Sequence, residues 1–370
     1  MKFIVIKSNL KNGLSVVERA SVENLNLPIL KNVLIETSDG KIKLTTTNLE
    51  IAINYFVAGK VIEPGKTTAP INTLVDIINN IQSDRLNLES KKNNLEIKTD
   101  NYEANIQGLP SEDFPITPKI KNTLEFIDIK TDILSDSLIK VLVAGEFSDL
   151  RPELNSILLD FSLDTIKLVA TDSFRLAEKT LSTELFESNY KNKFKLLIPL
   201  KTAVELVKIL KNEGSIRIYK DENQILFQSP NFSVLSRLAE GNFPEYQGIV
   251  PRKFKSEITF ERQEFVNALK LASIFGYKNN EVKIKVHEGK KTIEVFSADQ
   301  VVGENKYLLP AKINGKTESM VFNWRYLADV LRVLKSDEIF FGINDENEPA
   351  LLQPVGDNSY FYMLKPIVSV

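Results

Sequence analysis

The sequence predicts an α+β protein made of three tandem copies of one module, and repetition and periodicity are what predict it. PILKNVLIETSDGKIKLTTTNLEIA from Pro28 matches PELNSILLDFSLDTIKLVATDSFRLA from Pro152 without a gap, at an offset of 152 − 28 = 124. Leu30/Leu154, Val33/Ile157, Ile42/Ile166, Leu44/Leu168 and Thr47/Thr171 carry the match. A second block, Pro70 to Phe114-Pro115, matches Pro199 to Phe243-Pro244 at an offset of 199 − 70 = 129. The third copy is fainter. Phe322 to Leu334 repeats a helix of that block, with Asp76 and Glu205 matched by Asp329, and Lys7, Leu10 and Leu14 recur as Arg262, Phe265 and Leu269 at an offset of 262 − 7 = 255. Lys130 and Ile133 read as the middle version of the first two of these positions. The modules are expected at 1–120, 124–252 and 256–370, with polar junctions TPKIKNT and PRKFKSE.

Each module repeats one order of elements. A short strand (FIVI, FIDI, EITF) leads into an amphipathic helix near 8–20, 131–144 and 263–275. Alternating strands such as KIKLTTT and TIKLVAT follow, where period-two hydrophobicity marks a half-buried sheet. A second helix is expected near 71–82, 200–211 and 324–335, and hairpins such as SIRIYKDENQILFQS close the module. Two helices and about eight strands per module make a layer of helices packed on antiparallel sheet. Tandem copies suggest a curved assembly, and two such arcs closing on each other would leave no free edge.

Composition removes several functions. The 370 residues carry 47 Lys plus Arg against 49 Asp plus Glu, a formal charge of −2, where a conventional nucleic-acid binder has a basic excess. There is no cysteine and one histidine, His287, which excludes disulfides, thiolate metal sites and cysteine nucleophiles. His287 reads as an exposed turn residue of a hairpin, not a catalytic group. No cofactor and no metal are expected. The N-terminus has no secretory pattern and no apolar run is long enough to span a bilayer, so a cytoplasmic protein without membrane contact is expected.

Two motifs mislead. PGKTT at 64–68 resembles the end of a phosphate-binding loop, but Lys60 stands where that motif needs glycine and Ala69-Pro70 separates it from the next helix. A Pro-Gly turn between strands is the better reading. Asp172, Asp299 and Glu50 fall near equivalent positions, but equivalent positions in separate modules are far apart, so turn chemistry is expected there instead of a metal cluster.

Seven blocks in order, LPILKNVLIE, APINTLVDII, GLPSEDFP, RPELNSILLD, LVATDSFRLA, RLAEGNFPEY and FNWRYLADVL, resemble the bacterial DNA sliding clamp family, the beta subunit of the replicative DNA polymerase III holoenzyme. The resemblance spans essentially the whole chain. VATD-x-x-RLA together with G-x-FP-x-Y and FN-x-x-YL is its most specific part. It implies half of a homodimeric, head-to-tail ring, with strands outside and twelve helices lining a hole for duplex DNA. It also implies a non-enzymatic processivity factor that is placed on DNA by a separate loader. A ring holds DNA topologically, so weak phosphate attraction independent of sequence suffices and the missing basic excess is no obstacle.

The resemblance further implies where the work is done. Helix cations Lys7, Lys11, Lys130, Lys201, Lys208, Lys211, Arg325 and Arg332 would face DNA, as would Arg151 in the loop before a central-module strand. A cleft between modules two and three would bind short apolar peptides of polymerase, clamp loader and repair proteins. Carried over one position at a time, it comprises Leu154, Thr171, Ser173, Phe174, Arg175 and Leu176, then Pro244 and Ile249, then Met363, Lys365, Pro366 and Ile367. Ser173, Phe174 and Arg175 differ from their first-module counterparts Leu49, Glu50 and Ile51, which marks them for function and not for fold. The family commonly has Gly-His where Ser173-Phe174 stands and ends in Met-Pro-Met-Arg where this chain has Lys365-Pro366-Ile367-Val368, which puts the peptide preference in doubt. The subunit seam would join Ala104 and Ile106 of one copy to Ile274 and Phe275 of the other. The competing reading is an interaction scaffold of repeated modules that never encircles DNA.

Overall fold

The computed structural model describes residues 1–38, 40–148, 150–210, 214–276, 280–287, 291–315 and 319–368. Six helices appear among them, two per repeat: α1 Lys7–Val17 and α2 Ile71–Asn80, α3 Thr131–Leu142 and α4 Leu200–Ile209, α5 Arg262–Phe275 and α6 Trp324–Val333. Each follows a strand directly, so an extended residue has to serve as cap. Glu261 does this for α5, accepting from the Gln263 and Glu264 amides, and Asn323 for α6, accepting from Arg325. The buried stripe recurs at helical spacing, with Leu10, Leu14 and Val17 on α1, Leu74 and Ile78 on α2, and Leu327, Val330 and Leu331 on α6. Gly13 lets α1 lie close on the sheet, since a Cβ there would stand 2.9 Å from Tyr55 and from Val57.

The repeat is visible in single hydrogen bonds. The first helical amide of each module donates to the same point of a neighbouring turn: Lys7 to Asp84 O at 2.8 Å, Thr131 to Gly214 O at 3.0 Å and Arg262 to Asp337 O at 2.7 Å. This corrects one alignment. Lys7 corresponds to Thr131, not Lys130, and buried Leu10 to buried Leu134, not Ile133, because α3 begins one residue after Lys130.

The described chain forms two compact units, 1–131 with 187–190 and 208–238, and 132–186 with 191–207 and 239–370. They cut across the central module because antiparallel pairing continues across both junctions. In the first unit, strand Phe232–Arg237 pairs with Ile51–Val57, placing Val234 opposite Ile53. In the second, strand Tyr360–Leu364 pairs with Arg175–Ser182, placing Tyr362 opposite Ala177. The first unit holds a five-stranded sheet that ends on Glu103–Gln107 and most of a nine-stranded sheet; the second holds a twelve-stranded sheet.

The misleading motifs resolve. Lys66 and Thr67 lie inside strand Gly65–Pro70, one residue after strand Gly59–Glu63 ends. His287 is not an exposed turn residue. It ends strand Glu281–His287, half-buried, with Nε2 3.1 Å from Glu294 Oε2. The acidic positions also shift by two, for the counterpart of Asp172 is Asn48 and not Glu50. Asn48 accepts from the Glu50 and Ile51 amides, Asp172 from Phe174 and Arg175, and Asp299 from Val301 and Val302. These side chains close the same turn three times.

Candidate functional site

The turn after strand Thr165–Thr171 is built from its own polar atoms. Thr171 Oγ1 donates to Arg175 O at 2.6 Å and accepts from the Ser173 amide at 3.2 Å, while Asp172 Oδ1 holds the Phe174 and Arg175 amides. Ser173 is thereby fixed at φ 78°, in the left-handed region. Phe174 is left pointing out, 60% exposed.

Arg175 turns the other way. Its Nε donates to Asp172 Oδ2 at 2.8 Å, one terminal nitrogen donates to Asp329 Oδ2 at 3.0 Å, and its guanidinium lies 4.1 Å from the Tyr326 ring centroid. Burial opposes its charge, but Tyr362, Asp172 and Asp329 more than offset this and hold its pKa above the ordinary arginine value. The side chain therefore fastens α6 to the turn.

Behind the turn lies an apolar floor. Leu176 and Met363 stand opposite each other across the junction ladder and share a buried cluster with Leu158, Val169, Leu197 and Tyr246. Ala239, Phe243, Val250 and Phe361 flank it. Tyr246 OH donates to Glu178 Oε2 at 2.6 Å, and Lys167 pairs with that carboxylate at 3.0 Å, which pins the segment after the FPEY block. Burial first, and then Glu178, push the Tyr246 pKa well up. The C-terminal segment forms the rim. The Lys365 amide donates to Phe174 O at 2.8 Å and that of Ile367 to Val321 O at 2.7 Å.

Of the cleft residues expected from sequence, Leu176 and Met363 lie in this floor, Thr171, Ser173, Phe174 and Arg175 form the turn beside it, and Lys365 bonds to Phe174, while Ile367 bonds to Val321 instead. Pro244 and Ile249 lie on the exposed segment beside it, Ile249 54% exposed. Leu154 is buried in the turn that Arg151 opens and is not in the floor cluster. Arg151 itself reaches Ser173 Oγ at 3.4 Å. Sequence reasoning missed Leu158, Val169 and Leu197, which read as ordinary strand core, and Tyr246, which was read only as part of the FPEY motif. It also missed Tyr326 and Asp329, which meet Arg175 only through the fold.

The helix cations are scattered as α1, α4 and α6 carry them. Lys11, Lys201, Lys208, Arg325 and Arg332 are exposed, as are Lys130 before α3 and Arg151. Lys7 is half-buried and its ammonium donates to Ile81 O, while Arg332 stands 3.8 Å from Asp329. Lys211 lies outside the described residues. Ala104 and Ile106 sit on the terminal strand of the five-stranded sheet, and Ile274 and Phe275 end α5, Ile274 exposed. Among the described residues no group of three or more His, Cys, Asp or Glu side chains is arranged to hold a metal, and no helix is long and apolar enough to cross a membrane.

Comparison with known proteins covers the chain end to end. Models of the DNA polymerase III beta subunit match in succession, the N-terminal domain over residues 1–118, the central domain over 128–245 and the C-terminal domain over 247–368. The beta sliding clamp of Synechococcus elongatus is 26% identical over 374 residues, and that of Staphylococcus aureus strain Mu50 is 27% identical over 381, with 99% of each chain covered in both cases. The crystal structure of the Bacillus subtilis DNA polymerase sliding clamp superposes with a TM-score of 0.94 at 26% identity, covering 100% of both chains. The Pseudomonas aeruginosa sliding clamp bound to griselimycin gives 0.94 at 25%, again covering 100% of both.

Proposed function

Because this chain belongs to the DNA polymerase III beta-subunit family, the sliding clamps, and is thus a non-catalytic polymerase processivity factor, we propose that its Leu176–Met363 cleft is where partner proteins dock. The observation that carries this reading is the floor itself. An apolar cluster lies beneath a turn whose Arg175 is locked in place and whose Phe174 is left exposed. Leucine or phenylalanine anchors of a short peptide would bury against Leu176, Met363 and Tyr246, and backbone groups of the Lys365–Ile367 segment would fix its direction. Replicative polymerase, clamp loader and repair proteins would compete for this one cleft.

The ring itself would be two copies joined head to tail around duplex DNA in the cytoplasm. Ala104 and Ile106 of one copy would meet the Ile274–Phe275 end of α5 in the other. Two features support this seam. A cavity of about 500 Å³ opens beside Phe275, Phe296 and Val301, and one of about 410 Å³ beside Ile77, Ile81 and Tyr102. Exposed cations on α1, α4 and α6, with Lys130 and Arg151, would supply weak contact with phosphates, and no base is read.

The test is primer extension on singly primed circular DNA with polymerase and loader, read beside light scattering. Wild-type protein should stimulate long products and weigh twice 41.9 kDa. Ile249→Asp, at an exposed position, should keep that mass and lose at least ~90% of the stimulation, the scale expected when a charge is buried against an apolar anchor. Undiminished stimulation by Ile249→Asp would refute the cleft, and a mass of 41.9 kDa for the wild type would refute the ring.

A further inference from the structure

The repeat gives most residues at one internal junction a counterpart at the other, and beside α1 and α3 the two sets do different things. The Phe56 amide donates to Asn231 O at 2.8 Å and that of Thr180 to Ser359 O at 2.7 Å, so Asn231 corresponds to Ser359. Phe232 faces Tyr55 and Tyr360 faces Lys179, which matches Tyr55 with Lys179. Ser229 Oγ accepts from the Asn231 amide at 3.4 Å, and Asp357 Oδ1 from the Ser359 amide at 2.9 Å, so Ser229 corresponds to Asp357. On the helices the offset 131 − 7 = 124 matches Asn12 with Asp136 and Val16 with Lys140.

At the second junction these side chains satisfy one another. Lys179 donates to Ser359 Oγ and lies 3.6 Å from Asp357. Asp136 pairs with Lys140 at 2.9 Å and with Lys335 at 2.8 Å. Burial first, and then Lys140, pull the Lys179 pKa down, while Asp357 and Asp136 work against this. The chain thus supplies its own carboxylates to a group of lysines.

At the first junction both carboxylates are replaced by neutral groups, Asp136 by Asn12 and Asp357 by Ser229. A cavity of about 450 Å³ opens there, between α1, the end of α4 and the turn before strand Phe232–Arg237. Its described lining belongs to one compact unit. Val16, Tyr55 and Phe232 give it an apolar side, Arg19 and Lys208 bring positive charge, and no Asp or Glu is among the described residues that line it. The side chains of Asn12 and Asn231 and the Tyr55 hydroxyl bond no protein atom among the described residues. Burial pushes the Tyr55 pKa up, so this hydroxyl keeps the proton it would donate.

We propose that this cavity binds a small organic anion, a phosphate carried on an aromatic body of nucleotide size, whose charge takes the place that Asp136 and Asp357 hold at the second junction. Its volume falls within the roughly 300–1,000 Å³ usual for small-molecule sites. A phosphate monoester brings about −1.5 to −2 of charge in one group, close to that of the carboxylates it replaces. Arg19 and Lys208 would hold it through charge-assisted bonds, with Asn12 and Asn231 as neutral donors. The aromatic body would lie against Tyr55 and Phe232. The site lies within one copy and does not require a ring.

The test is calorimetric titration of the full chain with deoxyadenosine monophosphate and, separately, with deoxyadenosine. The nucleotide should bind one molecule per chain, and the uncharged nucleoside at least about tenfold more weakly. Asn12→Asp and Ser229→Asp each import the acid of the second junction. Each should weaken the nucleotide at least about tenfold, because the chain then provides the anion itself. Asn12 is exposed and Asp357 already caps the equivalent turn, so both variants should keep the wild-type thermal midpoint without ligand. The result that overturns the site is no heat with the nucleotide, equal binding of the nucleoside, or undiminished binding by both acidic variants. Displacement of the nucleotide by a short linear duplex would assign the cavity to a nucleic-acid backbone and overturn the small-molecule reading.

Discussion

The two internal junctions are the same construction with different outcomes. At both, a threonine hydroxyl, Thr47 or Thr171, bonds the carbonyl four residues on, and Asn48 or Asp172 caps the turn. The next residue, Leu49 or Ser173, takes φ 78° at both. At the first junction the floor is Ala52 and Leu235, covered by Ile120, which is only 8% exposed, and by Tyr219. At the second the floor is Leu176 and Met363, with Tyr246 buried against it, Phe243 and Val250 packed on it, and Ile249 54% exposed beside it. The turn belongs to the fold at both junctions; what differs is the segment that follows, since Ile120 is buried at the first while Ile249 stays exposed at the second. The same contrast shows at the next position, where Ile51 is buried among apolar neighbours and Arg175 is bound to two carboxylates and a tyrosine ring.

That position offers the strongest way to break the comparison. Arg175→Met keeps the volume of the stem but strands Asp172, which is 5% exposed, without its cation. The expected loss is about 3 kcal/mol in urea unfolding, since breaking a buried pair from one side leaves an uncompensated charge. Adding Asp172→Asn, which restores the arrangement of Asn48 with Ile51, should return more than half of it. A double variant no more stable than Arg175→Met would show that the two junction turns are not interchangeable scaffolds.

Much of the fold was legible because it is repeated. Elements met three times reveal their period even at low similarity, and helix positions came within a few residues of α1 to α6. One misalignment, Lys130 and Ile133 for Thr131 and Leu134, arises because a matching cation outweighs a buried leucine one residue on. Glu50 was set beside Asp172 for a similar reason. Charge was matched where the turn needed a short side-chain acceptor, and Asn48 supplies that as well as aspartate. For the proposed cleft, the LVATDSFRLA turn and the C-terminal segment stand out in the sequence as motif. Tyr326 and Asp329 were not, because Arg175 reaches them from 154 positions away in the chain in the Asp329 case, and no local pattern encodes that meeting. His287 was misjudged because its partner Glu294 lies on the paired strand.

The floor gives a second, smaller contrast. Met363→Ala and Leu235→Ala are equivalent truncations at the two junctions, and each should cost about 2 kcal/mol of stability as a buried apolar side chain is lost. Only Met363→Ala should also weaken a labelled peptide from the replicative polymerase, by roughly tenfold, as for loss of one anchor contact. Fluorescence anisotropy at matched folded fractions separates the two. Equal weakening by both variants would mean that the first groove takes part in binding and that Ile120 does not close it.

The smallest effect concerns the residue both turns force into the left-handed region. A side chain at φ 78° carries strain of about 1–2 kcal/mol relative to glycine, and glycine gives back about 0.5–1 kcal/mol through the freedom of its unfolded chain. Ser173→Gly should therefore stabilise the protein by about 0.5 kcal/mol, a shift of a degree or two in thermal midpoint for a chain of this size. Leu49→Gly relieves the same backbone strain but also removes the partly covered leucine beside Pro115 and Ile116, so its net change should be near zero or slightly negative. Identical gains at both sites would mean that Leu49 contributes nothing to closing the first groove, and the burden of closure would fall on Ile120 and Tyr219 alone.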